Sequence, residues 1–321
     1  MMERIVIEEK RELPVFKEIL GKVMVDIAKE DPHVLVFDAD LANASGLSAV
    51  REACPDQFID CGIQEANMTG AAAASSEAGV IPFAHTFSAF TGRKCIDQLF
   101  MAACYPKMNL KLIGSDPGIT AAVNGGSHQG MDDMGIMMCL NNITLLEPSD
   151  AIMYEQLLHL AKETYGVFYI RANRKEKLQI YEDGTKFELG KGKLLRDGTD
   201  VTLIASGIEV AQSMEAAKIL EKEGISARVV DMFCWRPIDE ELIVESAEKT
   251  GAIVTAENHC TATGLGSAVA RVITQHKPIP MEMIGVVERY GEVGSIPYLM
   301  EKFHMDAASI AEAARKVVSR K

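Results

Sequence analysis

Short runs of apolar, mostly β-branched residues alternate along the chain with longer stretches whose apolar positions recur at helical spacing. Several of the short runs are apolar throughout, which is typical of strands covered on both faces. The strands predicted in the first part of the chain are residues 34–37, 58–61, 80–83, 110–113, 143–146 and 167–170. Helices are predicted between them, including an Ala-rich stretch after Glu65 and an amphipathic stretch after Asp150. This alternation indicates βαβ units and a parallel sheet.

A second series of the same kind follows a polar segment. Its predicted strands are residues 201–205, 227–230, 252–256 and 283–286, separated by helices such as 211–222. Residues 173–200 are rich in Lys, Gly and Asp and lack apolar periodicity. Because a single core rarely grows beyond about 250 residues, the 321-residue chain is predicted to form two α/β domains, 1–185 and 186–321. Each is expected to hold a mostly parallel sheet with helices on both faces.

Composition narrows the class of protein. Hydrophobic residues make up 48% and charged residues 25% of the chain, as in soluble globular proteins. The net charge of -13 disfavours nucleic-acid binding, which needs clustered Lys and Arg, although an acidic cytosolic surface explains the charge equally well. The seven Cys occur singly, which suits a reducing compartment and disfavours a metal site. The sequence after Met1 has no signal-peptide pattern, and no apolar run reaches about 18 residues, so a cytoplasmic protein outside the membrane is predicted.

A carboxylate stands where the predicted sheet would bind a ligand. Residues 61–68 follow a strand and open a helix of small residues, so Glu65 is expected at the C-terminal edge of the sheet. The helix N-terminus would stabilise its charge, and partial burial would suit it to acid-base chemistry. The alternative is a helix-start Glu that only bonds backbone amides.

Two aromatic residues and an arginine follow one another at intervals of three in residues 82–93. If this segment is helical, Phe87, Phe90 and Arg93 share one face, and such a row could stack on a flat heteroaromatic ring. The alternative for both phenylalanines is a place in the core.

A long polar loop follows the strand predicted at residues 110–113. It runs through residues 114–130 and contains several glycines, which let the backbone approach a ligand closely. His128 in this loop could donate a proton or stabilise an oxyanion, although an isolated loop histidine is more often merely exposed.

Arginines follow the strand predicted at residues 167–170. A guanidinium at the end of a strand, as at Arg171 with Arg174 three residues later, suits a phosphate or carboxylate, with surface solvation as the alternative.

Residues 264–270 resemble a fragment of a dinucleotide fingerprint, but helix-start packing explains them better because they lie away from their strand. The sequence contains no P-loop, HExxH or GxSxG motif, which excludes several enzyme classes.

In this order, the motifs resemble the pyrimidine-binding and C-terminal domains of transketolases over nearly the whole chain. Residues 36–41 resemble the family's first strand and its Ala-Asp-Leu sequence, and residues 62–65 resemble the segment with the activating glutamate. Residues 86–90 resemble the aromatic cofactor clamp, and residues 127–129 resemble the His-Gln loop of the active site. The resemblance implies the thiamine-diphosphate-binding fold of this family and its two-carbon ketol transfer.

The resemblance also implies roles for individual residues. Glu65 would hydrogen-bond the N1′ atom of the cofactor's aminopyrimidine and promote deprotonation of the thiazolium, and His128 would act at the sugar hydroxyls. Arg171 matches the family's phosphate-binding arginine. The expected cofactor contacts are Asp40, Leu41, Glu65, Phe87, Phe90 and Arg93. The expected substrate contacts are Ser45, His85, Ser115, Asn124, His128 and Arg171.

The family's metal and diphosphate motif, Gly-Asp-Gly followed by Asn, is absent from the sequence. The resemblance therefore implies an N-terminal partner subunit that binds the diphosphate and Mg²⁺, with no metal ligand in this chain. It also implies an α2β2 assembly with active sites formed between chains. The expected function is that of the C-terminal subunit of a two-subunit transketolase.

Several positions depart from the family pattern. The family usually has His at the position of Ser115 and Asp at the position of Asn124, and both normally touch the substrate. The usual Arg before the activating glutamate is Gln64, and Arg93 replaces the third aromatic of the clamp. His85 either compensates for lost contacts or has a structural role. A branched or sulfonated sugar is therefore considered beside the usual ketose phosphates.

Rival functions stay open. The beta subunit of a 2-oxoacid decarboxylase or dehydrogenase shares both domains, but the Ser-His-Gln sequence at residues 127–129 favours a transketolase. A synthase that joins pyruvate to glyceraldehyde phosphate also has a His-Gln loop, but it is usually one longer chain. A non-catalytic regulatory subunit would have no need of Glu65.

Overall fold

The computed structural model describes residues 14–175 and 179–321. These residues form two mostly parallel sheets with helices packed against them, which confirms the α/β fold class predicted from the sequence. Met1 and its neighbours, on which the predicted absence of a signal peptide depends, lie outside the described residues. The division of the chain at residues 185 and 186 stays a prediction.

The strands of the described residues are short. They are β1 (Val34–Asp38), β2 (Phe58–Asp60), β3 (Ile81–Phe87), β4 (Lys111–Ser115), β5 (Ile143–Leu146), β6 (Val167–Ala172), β7 (Lys193–Arg196), β8 (Val201–Ala205), β9 (Ala227–Asp231), β10 (Cys234–Arg236), β11 (Ile253–Cys260) and β12 (Met281–Val286).

The α-helices connect the strands and cover the sheets. They are α1 (Phe16–Glu30), α2 (Ala42–Ser45), α3 (Ser48–Ala53), α4 (Glu65–Ser75), α5 (Ser88–Lys94), α6 (Ile96–Gln98), α7 (Asp133–Met137), α8 (Ala151–Glu163), α9 (Glu209–Lys222), α10 (Glu240–Thr250), α11 (Leu265–His276), α12 (Ile296–Lys302) and α13 (Ala307–Val318). Tighter 3₁₀ turns lie at Pro55–Gln57, Ser76–Ala78 and Gly118–Asn124, and a π-helical turn lies at Leu99–Cys104.

The first sheet has the strand order β10-β5-β6-β4-β3-β1-β2. Its neighbouring strands are parallel except at one edge, where β10 pairs antiparallel with β5. Strands β4 and β6, near the middle, are buried along their whole length. The apolar runs in the sequence therefore correspond to strands with helices on both faces.

The second sheet has the strand order β12-β11-β8-β9-β7. Only β7, at its edge, is antiparallel to its neighbour, and β8 in the centre is buried throughout. Each fully buried Val, Leu or Ile of such a strand stabilises the fold by about 1.5–3 kcal/mol relative to exposure.

The register of the first sheet brings polar residues together at the C-terminal ends of its strands. Asp38 of β1 pairs with His85 of β3, and Phe87 of β3 pairs with Ser115 of β4. Side chains at paired positions of adjacent strands, and at positions two apart on one strand, lie on the same face. Asp38, His85, Phe87 and Ser115 therefore share one face at one edge of the sheet.

Strand β3 is longer than the sequence predicted, and this changes the interpretation of residues 82–93. The strand continues to Phe87, and helix α5 begins at Ser88. Phe87 and Phe90 therefore do not share a helical face, because the first lies in a strand and the second in the first turn of a helix. The polar residues His85 and Thr86 are buried in this strand. A strand predicted from apolar residues alone therefore ends before His85, although the actual strand continues to Phe87.

Among the helices of the described residues, none combines the length and the apolar character needed to cross a membrane.

Candidate active site

Glu65 lies at the C-terminal edge of the first sheet, as expected. It is the first residue of α4 and is only 4% exposed. Its Oε1 atom accepts a 2.8 Å hydrogen bond from Nζ of Lys94. The structure thus presents a nearly buried acid with one cationic neighbour.

Three rings meet beside this acid. The ring centroids of Phe87 and Phe90 are 5.9 Å apart, and the imidazole of His128 lies 5.7 Å from the first and 5.3 Å from the second. All three pairs have edge-to-face geometry, which favours attraction between aromatic rings. Two phenyl rings beside a carboxylate are the set of groups that fits a protonatable heteroaromatic ring such as an aminopyrimidine.

The neighbouring cations are arranged differently from the prediction. Arg93 is not part of the ring cluster, because its guanidinium donates two 3.0 Å hydrogen bonds to Asp132. Instead, the Nζ atom of Lys94 lies 4.3 Å from the centroid of the Phe90 ring. Lys94 therefore contacts both the acid and the aromatic cluster, a role that no pattern in the sequence predicts.

The loop that carries His128 is held by the second half of the chain. The Nδ1 atom of His128 lies 2.9 Å from Oγ of Ser127. The next residue, Gln129, is buried and donates a 2.9 Å hydrogen bond from Nε2 to the carbonyl of Glu292. Asn124, at the start of the loop, is exposed. The half-buried His128 thus reaches the ring cluster from a loop anchored to residues near β12.

Arg171 lies at the end of β6, as predicted, but its side chain points into the interior. Its side chain is fully buried, with NH1 at 2.8 Å from Asp133 and NH2 at 2.8 Å from Glu147. Burial opposes its charge, but these two carboxylates more than offset the effect and raise the pKa of Arg171. Because the guanidinium is enclosed by two internal partners, the prediction that Arg171 binds an anionic substrate is not supported, and the residue belongs to a buried ion network.

Arg174, two residues after β6, is the arginine that contacts the ring cluster. Its guanidinium carbon is 4.9 Å from the centroid of Phe87, and its side chain is 13% exposed. Asp116 accepts hydrogen bonds from its Nε at 2.9 Å and from NH2 at 2.5 Å. The carbonyl of Ala44 accepts a further bond at 2.9 Å. These bonds hold the arginine in place beside the Phe87 ring.

Of the predicted contacts in the segment after β1, Asp40 and Leu41 are accessible and Ser45 is buried. The backbone N–H of Asp40 donates to Asp60 at 3.2 Å, and that of Leu41 donates to Asp38 at 2.5 Å. Both residues remain accessible at the edge of the sheet. Ser45 is fully buried and its hydroxyl bonds the carbonyl of Ala42, so the structure gives it a local role in its turn rather than access to a ligand.

His85 joins Asp38 and Ser115 in a buried hydrogen-bonded chain. Its Nδ1 atom lies 3.0 Å from Oδ2 of Asp38, and its Nε2 atom lies 3.0 Å from Oγ of Ser115. All three side chains are nearly or fully buried, at 0% exposure for Asp38, 1% for His85 and 3% for Ser115. His85 and Ser115 are both predicted substrate contacts, whereas their connection to Asp38 is visible only in the structure.

Within residues 14–175 and 179–321, no group of three or more His, Cys, Asp or Glu side chains is arranged to hold a metal ion.

Comparisons with known proteins match both halves of the chain. The transketolase pyrimidine-binding domain matches residues 14–178, and the transketolase C-terminal domain matches residues 190–310. The 6-deoxy-6-sulfo-D-fructose transketolase subunit SqwH of Clostridium sp. (strain MSTE9) is 40% identical over 314 residues, which are 98% of each chain. A solved structure described as a split gene transketolase, inactive beta4 tetramer, has 40% identity and a TM-score of 0.89, and the match covers 96% of this chain and 99% of that one.

Longer relatives match only in part. Human transketolase is 30% identical over 308 residues, which are 95% of this chain and 49% of the human protein. The chain therefore spans about half the length of such relatives. With the buried acid and the phenyl rings at the expected edge of the sheet, these similarities establish that the chain belongs to the transketolase family, as its pyrimidine-binding and C-terminal domains.

Proposed function

We propose that this chain is the C-terminal subunit of a two-subunit transketolase that uses thiamine diphosphate to transfer a two-carbon ketol unit from a ketose to an aldose. The observation that carries the proposal is the nearly buried Glu65, whose partner Lys94 also contacts the Phe90 ring of the Phe87–Phe90 pair. The relatives that it matches along nearly their whole length are described as a transketolase subunit and as a split gene transketolase, which supports the assignment.

When bound, thiamine diphosphate supplies a carbon nucleophile that can cleave the bond beside a ketose carbonyl. Glu65 would hold a proton at N1′ of the aminopyrimidine, because a carboxylate accepts the hydrogen bond that a protonated ring nitrogen donates. Phe87 and Phe90 would help to hold that ring and exclude water from it. Asp40 and Leu41 border the same edge of the sheet and complete the cofactor contacts proposed for this chain.

The diphosphate and Mg²⁺ require groups from another chain. The sequence has no Gly-Asp-Gly motif, and acidic side chains of the described residues form no metal-binding group. We propose that an N-terminal partner subunit binds both, in an α2β2 assembly. The cysteines are all free thiols, which supports a cytoplasmic enzyme of carbohydrate metabolism.

The substrate is proposed to be a ketose with an anionic end. Arg174 supplies a fixed cation close to Phe87, and His128 and Asn124 supply hydrogen-bonding groups from the neighbouring loop. The relative SqwH carries a sulfonated ketose in its name. A sulfonate and a phosphate present the same kind of oxygen acceptors to a guanidinium, so the proposed donor is a sulfonated or phosphorylated ketose.

The test is an assay of the reconstituted enzyme. This chain would be purified together with its partner, supplied with thiamine diphosphate and Mg²⁺, and assayed with a panel of phosphorylated, sulfonated and neutral ketoses. We expect ketol transfer that needs both chains and falls by at least about 100-fold in Glu65→Gln. Glu77→Gln, an exposed residue just beyond the same helix, is the matched control and should be unaffected.

Other results would change the assignment. Cofactor binding with decarboxylation of a 2-oxoacid, and without turnover of any ketose, would indicate the decarboxylase subunit. Cofactor binding by the complex that is unchanged in Glu65→Gln, with no turnover of either substrate class, would indicate a non-catalytic subunit.

A further inference from the structure

The buried chain of Asp38, His85 and Ser115 lies beside the proposed cofactor face but has no part in cofactor activation. The three residues come from adjacent parallel strands, β1, β3 and β4, and meet at the C-terminal ends of those strands. Ser115 pairs in register with Phe87, so its hydroxyl is next to a ring of the clamp. A hydrogen-bonded chain at this place is positioned to orient a molecule that binds beside Phe87 and Phe90.

The carboxylate determines which ring nitrogen of His85 carries the proton. Asp38 accepts at Oδ2 from His85 and at Oδ1 from the backbone N–H of Leu41. Because a carboxylate only accepts hydrogen bonds, Nδ1 of His85 must be the donor in the neutral imidazole. The Nε2 atom then carries a lone pair and accepts the hydroxyl proton of Ser115 at 3.0 Å.

The direction of the Ser115 hydroxyl follows from this arrangement. With its proton donated to His85, the oxygen has only lone pairs left for another partner. Ser115 is therefore held as an acceptor for a donor group, such as a sugar hydroxyl. The short serine side chain and the imidazole that orients it lie on adjacent strands, β4 and β3.

We propose that Asp38 and His85 are positioning residues that fix the Ser115 hydroxyl as a hydrogen-bond acceptor for a hydroxyl group of the ketose. The proposal rests on the transketolase function proposed above. In this arrangement the imidazole of His85 acts on the substrate through the Ser115 hydroxyl. The shorter side chain leaves more room beside Phe87 than an imidazole at position 115 would.

Asp38→Asn is the decisive variant because it keeps the shape of the side chain. The amide oxygen can still accept from Leu41, but the amide nitrogen must donate to Nδ1 of His85. The imidazole then carries its proton on Nε2 and donates to Ser115, so the hydroxyl proton turns toward the substrate. The variant thus inverts the proposed hydrogen-bonding direction without emptying any space.

The first readout does not depend on activity. The full chain would be labelled with ¹⁵N-histidine, and long-range ¹H–¹⁵N spectra would assign the tautomer of His85, identified by its loss in His85→Gln. We expect the Nδ1–H tautomer in the wild type, the Nε2–H tautomer in Asp38→Asn, and a shifted Nε2 signal in Ser115→Ala. A wild-type Nε2–H tautomer, or a tautomer unaffected by Asp38→Asn, would overturn the proposal.

The second readout is a double-mutant cycle in the reconstituted enzyme. Asp38→Asn and Ser115→Ala should each lower kcat/KM for the ketose about 10- to 100-fold, while the Kd for thiamine diphosphate changes less than about twofold. If Asp38 acts through the Ser115 hydroxyl, the double variant should be no worse than Ser115→Ala alone. Multiplicative losses, or full activity in Ser115→Ala, would contradict the proposal.

A second histidine-carboxylate pair serves as a matched control for the hydrogen-bonded residues Asp38, His85 and Ser115. His33 and Asp31 form a similar pair at 3.1 Å on the surface, and His33→Gln should leave both readouts unchanged. If the wild-type complex shows no ketol transfer, the proposed function fails, and the NMR arm still decides whether the hydrogen-bonded chain exists in the proposed direction.

Discussion

The Nζ atom of Lys94 lies 2.8 Å from Oε1 of Glu65 and 4.3 Å from the centroid of the Phe90 ring. The same carboxylate and the same ring are the groups proposed to bind the aminopyrimidine. In the chain alone, the lysine thus takes part of the place proposed for the cofactor ring. Its side chain is 45% exposed, so it is free to move into solvent.

Replacing this lysine should strengthen cofactor binding. In Lys94→Met the competing ion pair is lost, and an ion pair with one exposed partner contributes about 0.2–1 kcal/mol. We expect the Kd for thiamine diphosphate, measured by calorimetry on the complex with the partner subunit, to fall by about two- to fivefold. Lys22→Met, which removes an exposed ion pair with Asp26 on α1, is the control. Weaker binding in Lys94→Met would mean that the lysine assists the cofactor instead of competing with it.

Arg174→Gln should impair the use of anionic ketoses. The variant removes the cation near Phe87 and leaves the carboxylate of Asp116 without its partner, so a sulfonate or phosphate loses an attraction and meets a repulsion. We expect KM for an anionic ketose to rise at least about tenfold, with little change for a neutral ketose such as erythrulose. Equal losses for both donors would exclude a role at the anionic group.

Arg171→Met should instead destabilise the fold. Asp133 and Glu147 would be left buried without their cation, and removing one member of a buried ion pair costs about 3–5 kcal/mol. Urea unfolding of the chain should report this loss, whereas the exposed Arg51→Met should stay close to the wild type. A variant of wild-type stability with a raised KM for anionic ketoses would restore the role that the sequence analysis gave to Arg171.

Asp231 should make stability depend on pH. Burial raises the pKa of this carboxyl from 3.8 to about 7, although Ser149 and Tyr181 donate hydrogen bonds to it. The folded state therefore holds the proton more tightly than the unfolded chain. Its contribution is complete below about pH 4 and is lost as the pH rises through about 7.

The corresponding measurement is urea unfolding at several pH values. Asp231→Asn imitates the protonated acid and should remove about 2–4 kcal/mol of pH dependence between pH 4 and 7 relative to the wild type. The comparison uses the slope with pH, since the amide introduces a buried donor that lowers stability at every pH. Parallel wild-type and variant curves would show that the carboxyl does not titrate in this range.

The sequence predicted the regular parts of the fold well because they depend on local patterns. Strands β5 and β8 have the predicted bounds, and each is an apolar run interrupted only by one threonine. Glu65 was also placed correctly, since a small-residue helix after a strand leaves little choice for its first residue. Edge strands β7 and β10 were missed because each is short and antiparallel, without an apolar run of its own.

The site was harder to predict because its polar side chains depend on distant partners. Arg171 lies in β6 and Arg174 follows it, and the buried partners of Arg171, Asp133 and Glu147, lie 38 and 24 residues before it in the sequence. Strand β3 was cut short for the same reason: His85 is tolerated in the interior only because Asp38 and Ser115 satisfy both of its ring nitrogens. Such compensation is long-range in sequence and leaves no periodic signal.

Strand β10 lies beyond residue 186 in sequence, but it extends the first sheet along the edge of β5. It also buries Trp235, whose indole N–H donates to Ser206 at 3.0 Å. A chain cut near residue 185 would leave the hydrogen-bonding groups of β5 open to solvent and to other strands, an arrangement that promotes aggregation. A chimera that takes the first sheet from a related protein must therefore also take β10 from that protein, although β10 lies in the second half of the chain.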